Sequence, residues 1–204
     1  MRVFVKICGL STPRAVSAAV LGGADAIGFV FAQSPRRVTP QRATALCADL
    51  SPVMIRVAVM RHPLPEDWQA VAAGFQADWL QTDADDFAGL AVAPQISRLP
   101  VYRDTPALDA GVLPTDELML FEAAVSGEGA RANWQRAAAL SAGRKLVLAG
   151  GLTPDNVGDA IATVRPYGVD VSSGVESKPG VKDVGRITAF IEAVREAEVK
   201  YAHD

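Results

Sequence analysis

Histidine and cysteine are scarce in this chain, which has two of each among its 204 residues. With only His62 and His203 available, a metal site built from histidine and cysteine is not expected. Cys8 and Cys47 form no disulfide framework, so a reducing compartment, the cytoplasm, is the expected location. The sequence therefore predicts a cytoplasmic protein without a bound metal.

A large excess of charge and long apolar runs are also missing. The formal net charge is -3, which provides no basic surface for nucleic acid or for an anionic membrane. No apolar run approaches the length of a membrane span, and the N-terminal MRVFVKICGL lacks the long apolar core of a signal peptide. We therefore expect neither nucleic acid nor a membrane as a partner.

What is present is an ordinary globular composition, with 50% hydrophobic and 21% charged residues. Short β-like runs alternate with alanine-rich helical segments along the whole chain. This alternation implies parallel strands joined by helical crossovers, and a count of eight strands favours a closed barrel over an open sheet. We therefore predict one domain, residues 1–204, folded as a single (β/α)8 barrel of the α/β class.

The predicted elements follow from these patterns. Strands are expected at Val3–Cys8, Ala26–Phe31, Met54–Met60, Trp79–Gln81, Leu99–Tyr102, Glu117–Glu122, Lys145–Ala149 and Val169–Ser172. Helices are expected at Pro13–Leu21, Pro40–Asp49, Pro65–Ala73, Trp134–Ala142, Pro154–Thr163 and Asp183–Glu196, with a weak one near Asp85–Ala91 and at best a poor one within Asp104–Asp116.

The stretch 148–176 contains two turns rich in hydrogen-bond donors, each directly after a predicted strand. In the first turn, Thr153 is the expected N-cap of the helix that follows. Free N–H groups at such turns bind phosphate, and the loops after strands 7 and 8 of a (β/α)8 barrel commonly do so. A single turn would fit ordinary loop geometry, but two in tandem favour a phosphate site. Its expected residues are Gly150, Gly151, Ser172, Ser173 and Gly174.

The first predicted strand places polar side chains on its inward face. Lys6 and Cys8 alternate with Val5 and Ile7, which are expected to pack against helices. A lysine inside a strand is costly unless it meets an anion or water, and beside it Cys8 is expected to have a lowered pKa and to act as a base or nucleophile. The alternative is that Cys8 is simply a small buried residue, the usual fate of a free cysteine. Lys6 and the following Gly9 favour the functional interpretation.

Other polar residues follow predicted strands. Glu122 ends the sixth strand on its inward face. The pattern is equally compatible with two roles for it: a general acid whose pKa is raised by burial, or a carboxylate in a solvated salt bridge. The glycine-rich segment 123–131 fits a loop that closes over a ligand. Arg36 and Arg37 follow the second strand, and either suits bidentate binding of a carboxylate, although solvated loop arginines are more common. His62, just after the third strand, is more simply a surface residue than a site residue.

Four sequence blocks carry a family resemblance: VKICGL at 5–10, GADAIGFVFAQSPRRVTP at 23–40, LAGGLTPDNV at 148–157 and VDVSSGVESKPGVKD at 169–183. They resemble phosphoribosylanthranilate isomerase of tryptophan biosynthesis, and the resemblance covers essentially the whole chain. It implies a (β/α)8 barrel that converts N-(5-phosphoribosyl)anthranilate to 1-(2-carboxyphenylamino)-1-deoxy-D-ribulose 5-phosphate by an Amadori rearrangement without a cofactor. The implied partner is this phosphorylated small molecule, with the chain as a monomer or homodimer.

The resemblance also implies roles for individual residues. Cys8 is implied to be the general base that removes the proton from C2 of the opened Schiff base. Glu122 stands where the family has an aspartate, and is implied to be the general acid that protonates the furanose ring oxygen. Arg36 is implied to hold the anthranilate carboxylate and Asp170 to face the sugar, while Lys6 joins the substrate-binding residues. The two donor-rich turns would hold the phosphate.

Three departures from the family pattern accompany the resemblance. Glu122 carries its carboxyl group one methylene, about 1.5 Å, further out than an aspartate. Asp83 ends the fourth strand where the family usually has a histidine followed by glycine, and residues 126–129 differ from the family's glycine-rich loop.

A related barrel, the isomerase of histidine biosynthesis, would need aspartates where this chain has Cys8 and Tyr102. A phosphate-binding protein without catalysis is the alternative from another functional class.

Overall fold

The structure, a computed structural model, describes residues 2–113, 115, 117–124 and 131–200. Eight parallel strands form a closed barrel in sequence order, and the eighth strand pairs with the first. The predicted (β/α)8 barrel is therefore confirmed. Its strands are β1 (Phe4–Cys8), β2 (Ala26–Val30), β3 (Ile55–Val59), β4 (Trp79–Asp83), β5 (Ser97–Asp104), β6 (Leu118–Ala123), β7 (Lys145–Leu148) and β8 (Gly168–Val171).

Helices surround the barrel. They are α1 (Pro13–Gly22), α2 (Pro40–Leu46), α3 (Pro65–Gly74), α4 (Trp134–Ser141), α5 (Val157–Val164) and α6 (Val184–Lys200). Short 3₁₀ helices occupy Ala84–Gly89, Ala110–Val112 and Ser173–Val175, and the last leads into an antiparallel hairpin of β9 (Glu176–Lys178) and β10 (Val181–Lys182). The two weak helices expected after β4 and β5 are thus short 3₁₀ helices, of six and three residues. In the described part of the chain, every helix is too short or too polar to pass through a membrane.

The helix expected at 154–163 begins later than predicted, at Val157. The side chain of Asn156 accepts a hydrogen bond from the N–H of Thr153 at 2.8 Å, and donates one to the carbonyl of Gly151 at 2.9 Å. The N–H of Val157 then donates to the carbonyl of Thr153 at 3.1 Å. The prediction of Thr153 as N-cap is therefore wrong, because Asn156 holds the preceding residues in a turn.

The barrel interior is apolar at one end and polar at the other. The ring of Phe4, at the start of β1, stacks on Trp79 with centroids 5.5 Å apart and on Tyr167 with centroids 5.9 Å apart. These rings occupy the amino-terminal ends of the strands, so polar groups are left to the carboxyl-terminal ends. One cluster of apolar side chains inside the barrel consists of Leu99, Val101, Leu120, Val147 and Ala149, with Phe4, Trp79 and Leu118 packed against them.

Candidate active site

A cavity of about 690 Å³ opens at the carboxyl-terminal end of the barrel. Because the carboxyl ends of parallel strands meet on one face, it collects side chains from distant parts of the sequence. Predicted residues that line it are Cys8 from β1, Arg36 after β2, Glu122 from β6, Asp170 from β8, and Ser172 and Ser173 from the turn that follows. Most of the residues selected from the sequence therefore meet in one cavity.

Lys6 lies beneath the cavity and is completely buried. Its Nζ is 2.7 Å from Oδ1 of Asp170, the residue opposite it in the pairing of β1 with β8. Burial alone lowers the pKa of Lys6, but the charges and hydrogen bonds of Asp170 and Cys8 together outweigh burial and raise the pKa above its ordinary value. Gly28 on β2 provides the room, since a Cβ there would lie 3.1 Å from Sγ of Cys8 and 3.2 Å from Nζ of Lys6. Lys6 therefore has the anion that its buried position requires.

Cys8 lines the cavity although it is only 5% exposed. Burial raises the pKa of its thiol above the ordinary value; Lys6 and Lys182 act to lower it, and Asp170 acts to raise it. The predicted lowering of the Cys8 pKa is therefore wrong. The physical reason is the burial of the thiol, which outweighs the two lysines, while Asp170 acts in the same direction as burial.

Arg36 is held by a carboxylate of the protein itself. Its Nε and Nη2 donate to Oε1 and Oε2 of Glu176 at 2.7 and 3.0 Å. Lys182 also donates to Glu176, at 2.8 Å. Burial raises the pKa of Glu176, but these two cations outweigh it and leave the pKa below its usual value. Glu176 and Lys182 were not selected from the sequence, although both lie in the block 169–183, at the ends of the hairpin β9–β10.

The turns after β7 and β8 contact each other. Gly174 approaches the carbonyl oxygen of Leu152 so closely that a Cβ on it would lie 1.8 Å away. Gly150 and Gly151 have φ values of 86° and 65°, which glycine adopts without strain. Ser172 donates from its Oγ to the carbonyl of Cys8 at 3.2 Å. The two serines line the cavity, whereas the three glycines are outside its lining and shape the turns around it.

Glu122 forms an ion pair with Arg103 on the neighbouring strand β5. Arg103, its neighbour on β5, donates from Nη1 to Oε2 of Glu122 at 3.1 Å and from Nη2 to Oδ1 of Asp83 at 2.6 Å. The exposed fractions of the three side chains lie between 14% and 21%, so the pair is mostly buried rather than solvated. Arg103 was missed because β5 was expected to end at Tyr102. The loop predicted to close over a ligand at 123–131 falls largely, at 125–130, outside the described residues.

His62 lies at the rim, outside the lining of the cavity, with 63% of its side chain exposed. Its Nε2 is 3.2 Å from Oδ2 of Asp83 and its Nδ1 is 3.1 Å from Oδ1 of Asp86. Ligand atoms of these three residues lie within 4.8 Å of one another, a spacing that a metal ion also accepts. Arg103 already binds Asp83 and Thr82 already binds Asp86. The cluster is therefore accounted for by charge pairing and hydrogen bonds.

The comparison with known proteins agrees with this geometry. Residues 5–193 match the family model described as N-(5'-phosphoribosyl)anthranilate (PRA) isomerase. The chain belongs to this family. A relative of that name from Desulforamulus reducens is 40% identical over 200 residues, which cover 95% of this chain and 96% of the relative. The resemblance stated from the sequence blocks is thus confirmed, and the chain is a member of an isomerase family.

Two solved structures extend the comparison to three dimensions. The phosphoribosyl anthranilate isomerase from Thermus thermophilus matches with a TM-score of 0.82 at 28% identity, covering 96% of this chain and 99% of that one. A phosphoribosyl anthranilate isomerase in complex with reduced 1-(o-carboxyphenylamino)-1-deoxyribulose 5-phosphate matches with a TM-score of 0.81 at 32% identity, covering 95% and 99%. Arg103 binds both Asp83 and Glu122, the two carboxylates at which the sequence was expected to depart from the family pattern.

Proposed function

We propose that this chain, acting as one domain over residues 1–204, converts N-(5-phosphoribosyl)anthranilate to 1-(2-carboxyphenylamino)-1-deoxy-D-ribulose 5-phosphate in tryptophan biosynthesis. The observation that carries the proposal is that Cys8 and Glu122 line one cavity in a chain of this isomerase family. A cavity of about 690 Å³ falls in the usual range for small-molecule sites. We further propose a cytoplasmic monomer or homodimer that needs no cofactor.

The rearrangement requires one acid and one base. The protonated carboxyl group of Glu122 gives its proton to the furanose ring oxygen while the bond from that oxygen to C1 breaks, which leaves a protonated Schiff base. The thiolate of Cys8 then removes the proton from C2, and the electrons form an enolamine. The enolamine gains a proton at C1 and loses the proton of its C2 hydroxyl group, giving the ketone. Substrate and product are isomers, so no electrons enter or leave.

Glu122 must hold its carboxyl group at the ring oxygen although it is longer than an aspartate. We propose that Arg103 compensates for the extra methylene, because it binds Oε2 of Glu122 from the neighbouring strand while Asp83 holds the other side of the guanidinium group. This ion pair also favours the carboxylate form of Glu122. The proton that Glu122 donates is therefore acquired in competition with Arg103.

The charged groups of the site suit the two anionic ends of the substrate. Arg36 uses Nε and Nη2 for Glu176, while its Nη1 makes no hydrogen bond within the described part of the chain. We propose that Nη1 contacts the anthranilate carboxylate. The turns formed by Gly150, Gly151, Ser172, Ser173 and Gly174 are proposed to bind the phosphate, with Asp170 and Lys6 facing the sugar.

The first test concerns the base. Turnover of freshly made phosphoribosylanthranilate is monitored by the loss of its fluorescence. Cys8→Ala is expected to abolish this turnover, while a product analogue still binds. Cys47→Ala is the matched control, because Cys47 lies at the end of α2 and outside the cavity, and it should leave turnover near the wild-type rate. Near-normal turnover in Cys8→Ala would contradict the assignment of the base. Binding without turnover in the wild-type protein would instead indicate a binding protein.

The second test concerns the acid. Glu122→Gln keeps the size of the side chain but removes its proton, and is expected to reduce kcat by about 10²- to 10⁴-fold, the usual contribution of a positioned acid. Glu122→Asp restores the family's residue but shortens the reach toward Arg103. An unchanged kcat in Glu122→Gln would show that another group supplies the proton, with Asp83 as the next candidate.

A further inference from the structure

Beside Cys8 lies a cluster of three charged side chains, Arg36, Glu176 and Lys182, which we call the hairpin triad. Both cations bind the one carboxylate, Arg36 at 2.7 Å and Lys182 at 2.8 Å. The side chains are almost fully buried, with 10%, 4% and 1% exposed. One positive charge of the hairpin triad is therefore left without a matching negative charge inside the triad.

The charged groups that act on the thiol of Cys8 are Lys6, Asp170 and Lys182. On its own strand, Lys6 faces the thiol, and from β8 Asp170 neutralises Lys6 at 2.7 Å. On the β2 side, the residue paired with Cys8 is the uncharged Gly28. Lys182, whose own pKa is lowered by burial, is a second cation that acts to lower the pKa of Cys8 against the opposing effect of burial. Because Asp170 opposes Lys6, the hairpin triad supplies a further positive charge beside the thiol.

Hydrogen bonds fix the ammonium group of Lys182 relative to Cys8. Its Nζ donates to the carbonyl of Ser172 at 2.8 Å and lies 3.3 Å from the Oγ of the same residue. Ser172 in turn donates from Oγ to the carbonyl of Cys8 at 3.2 Å. A lysine is therefore bound to the turn after β8, and that turn is bound to the last residue of β1.

We propose that Lys182 is a positioning residue of the active site, whose buried positive charge, fixed through Ser172, stabilises the thiolate form of Cys8. The inference rests on the proposed role of Cys8 as the base. Charge is the decisive property: an arginine at 182 preserves the effect, and a neutral residue that still donates a hydrogen bond does not.

The test measures the thiol of Cys8 rather than turnover. The full-length protein is alkylated with iodoacetamide over a range of pH, and modification of Cys8 is quantified by mass spectrometry of its peptide. Lys182→Met and Lys182→Gln should both raise the pH midpoint of alkylation by about one unit, as expected for removal of a nearby opposite charge. Lys182→Arg should keep the midpoint near that of the wild type. Lys178→Met is the control, because it removes an exposed lysine from the same hairpin and should leave the midpoint unchanged.

The outcomes separate the inference from the proposed function. An unchanged midpoint in the neutral variants, or an equal rise in Lys182→Arg, would overturn the inference, because the effect would then not depend on charge. If Lys182→Met does not fold, Lys182→Gln decides the question by the same measurement. The neutral variants could show shifted midpoints while the wild-type protein turns over no phosphoribosylanthranilate. That result would support the role of Lys182 and reject the isomerase reaction. If the enzyme is active, the acid limb of the pH profile of kcat/KM should move to higher pH in the neutral Lys182 variants, together with the midpoint of alkylation.

Discussion

Replacing Asp170 with asparagine leaves a fully buried lysine without its counter-ion. Lys6 is completely buried, and its Nζ lies 2.7 Å from Asp170. Removing one partner of a buried pair typically costs about 3–5 kcal/mol, because the other charge stays in the interior without compensation. We expect Asp170→Asn to lower the free energy of unfolding by about this amount, measured by urea unfolding with the tryptophan fluorescence of the barrel as the signal.

The double variant Lys6→Met/Asp170→Asn separates burial of charge from loss of packing. It leaves no charge in the interior, and replacing a buried pair by groups without charge is often nearly neutral for stability. We therefore expect it to recover most of the stability that Asp170→Asn loses. Lys6→Met alone should lower the free energy of unfolding less than Asp170→Asn does, because the carboxylate left behind, Asp170, lines the cavity and keeps access to water.

The pH dependence provides a second check. Asp170, together with Cys8, raises the pKa of Lys6 above the ordinary value of 10.5 in the folded protein. The pair therefore contributes its full stability below about pH 10.5, and loses it as the pH rises through the folded-state pKa. The advantage of the wild type over Asp170→Asn should disappear as the pH rises through that alkaline range. A loss below about 1 kcal/mol at neutral pH, the size of a solvated pair, would refute the assigned role, and so would a double variant no more stable than the single one.

Three further predictions follow from contacts around the cavity. Gly174→Ala places a methyl group 1.8 Å from a backbone carbonyl oxygen, so it should lower the melting temperature, whereas Gly158→Ala in α5, where a Cβ meets nothing within 4 Å, should not. The Arg36 and Lys182 contacts keep the pKa of Glu176 below its usual 4.5, so the stability difference between wild type and Glu176→Gln should be full above about pH 4.5 and vanish on acidification through the folded-state pKa. Arg103→Met and Glu122→Gln should have non-additive effects on kcat/KM, since the two side chains share an ion pair; additive effects would show that they act independently.

The fold was predictable because its signals are local. Each strand alternates between side chains that face the helices and side chains that face the interior, and this alternation correctly turned Lys6, Cys8 and Glu122 inward. Thr12 and Thr39 each precede a proline at the start of α1 and α2, and their side chains cap these helices. These features depend on neighbours within a few positions, which a sequence displays directly.

The details of the site depend on partners far apart in the chain, and these the sequence did not reveal. Arg36 pairs with a residue 140 positions away, Glu176, and nothing near either residue indicates the other. The predicted pKa of Cys8 was wrong because the closed barrel buries its thiol, and because Asp170, which opposes Lys6, lies 164 positions after Lys6. The later start of α5 has a different origin, since Asn156 competes through its side chain with the backbone pattern of a helix.

The pairing of Lys6 with Asp170 also bears on how the protein is synthesised. The ribosome delivers β1 first, yet the counter-ion of Lys6 arrives 164 residues later. Until then the lysine retains its water, and the wall of the barrel that contains Cys8 stays unfinished. The surroundings of the Cys8 thiol are therefore complete only once β8 has paired with β1 and closed the barrel.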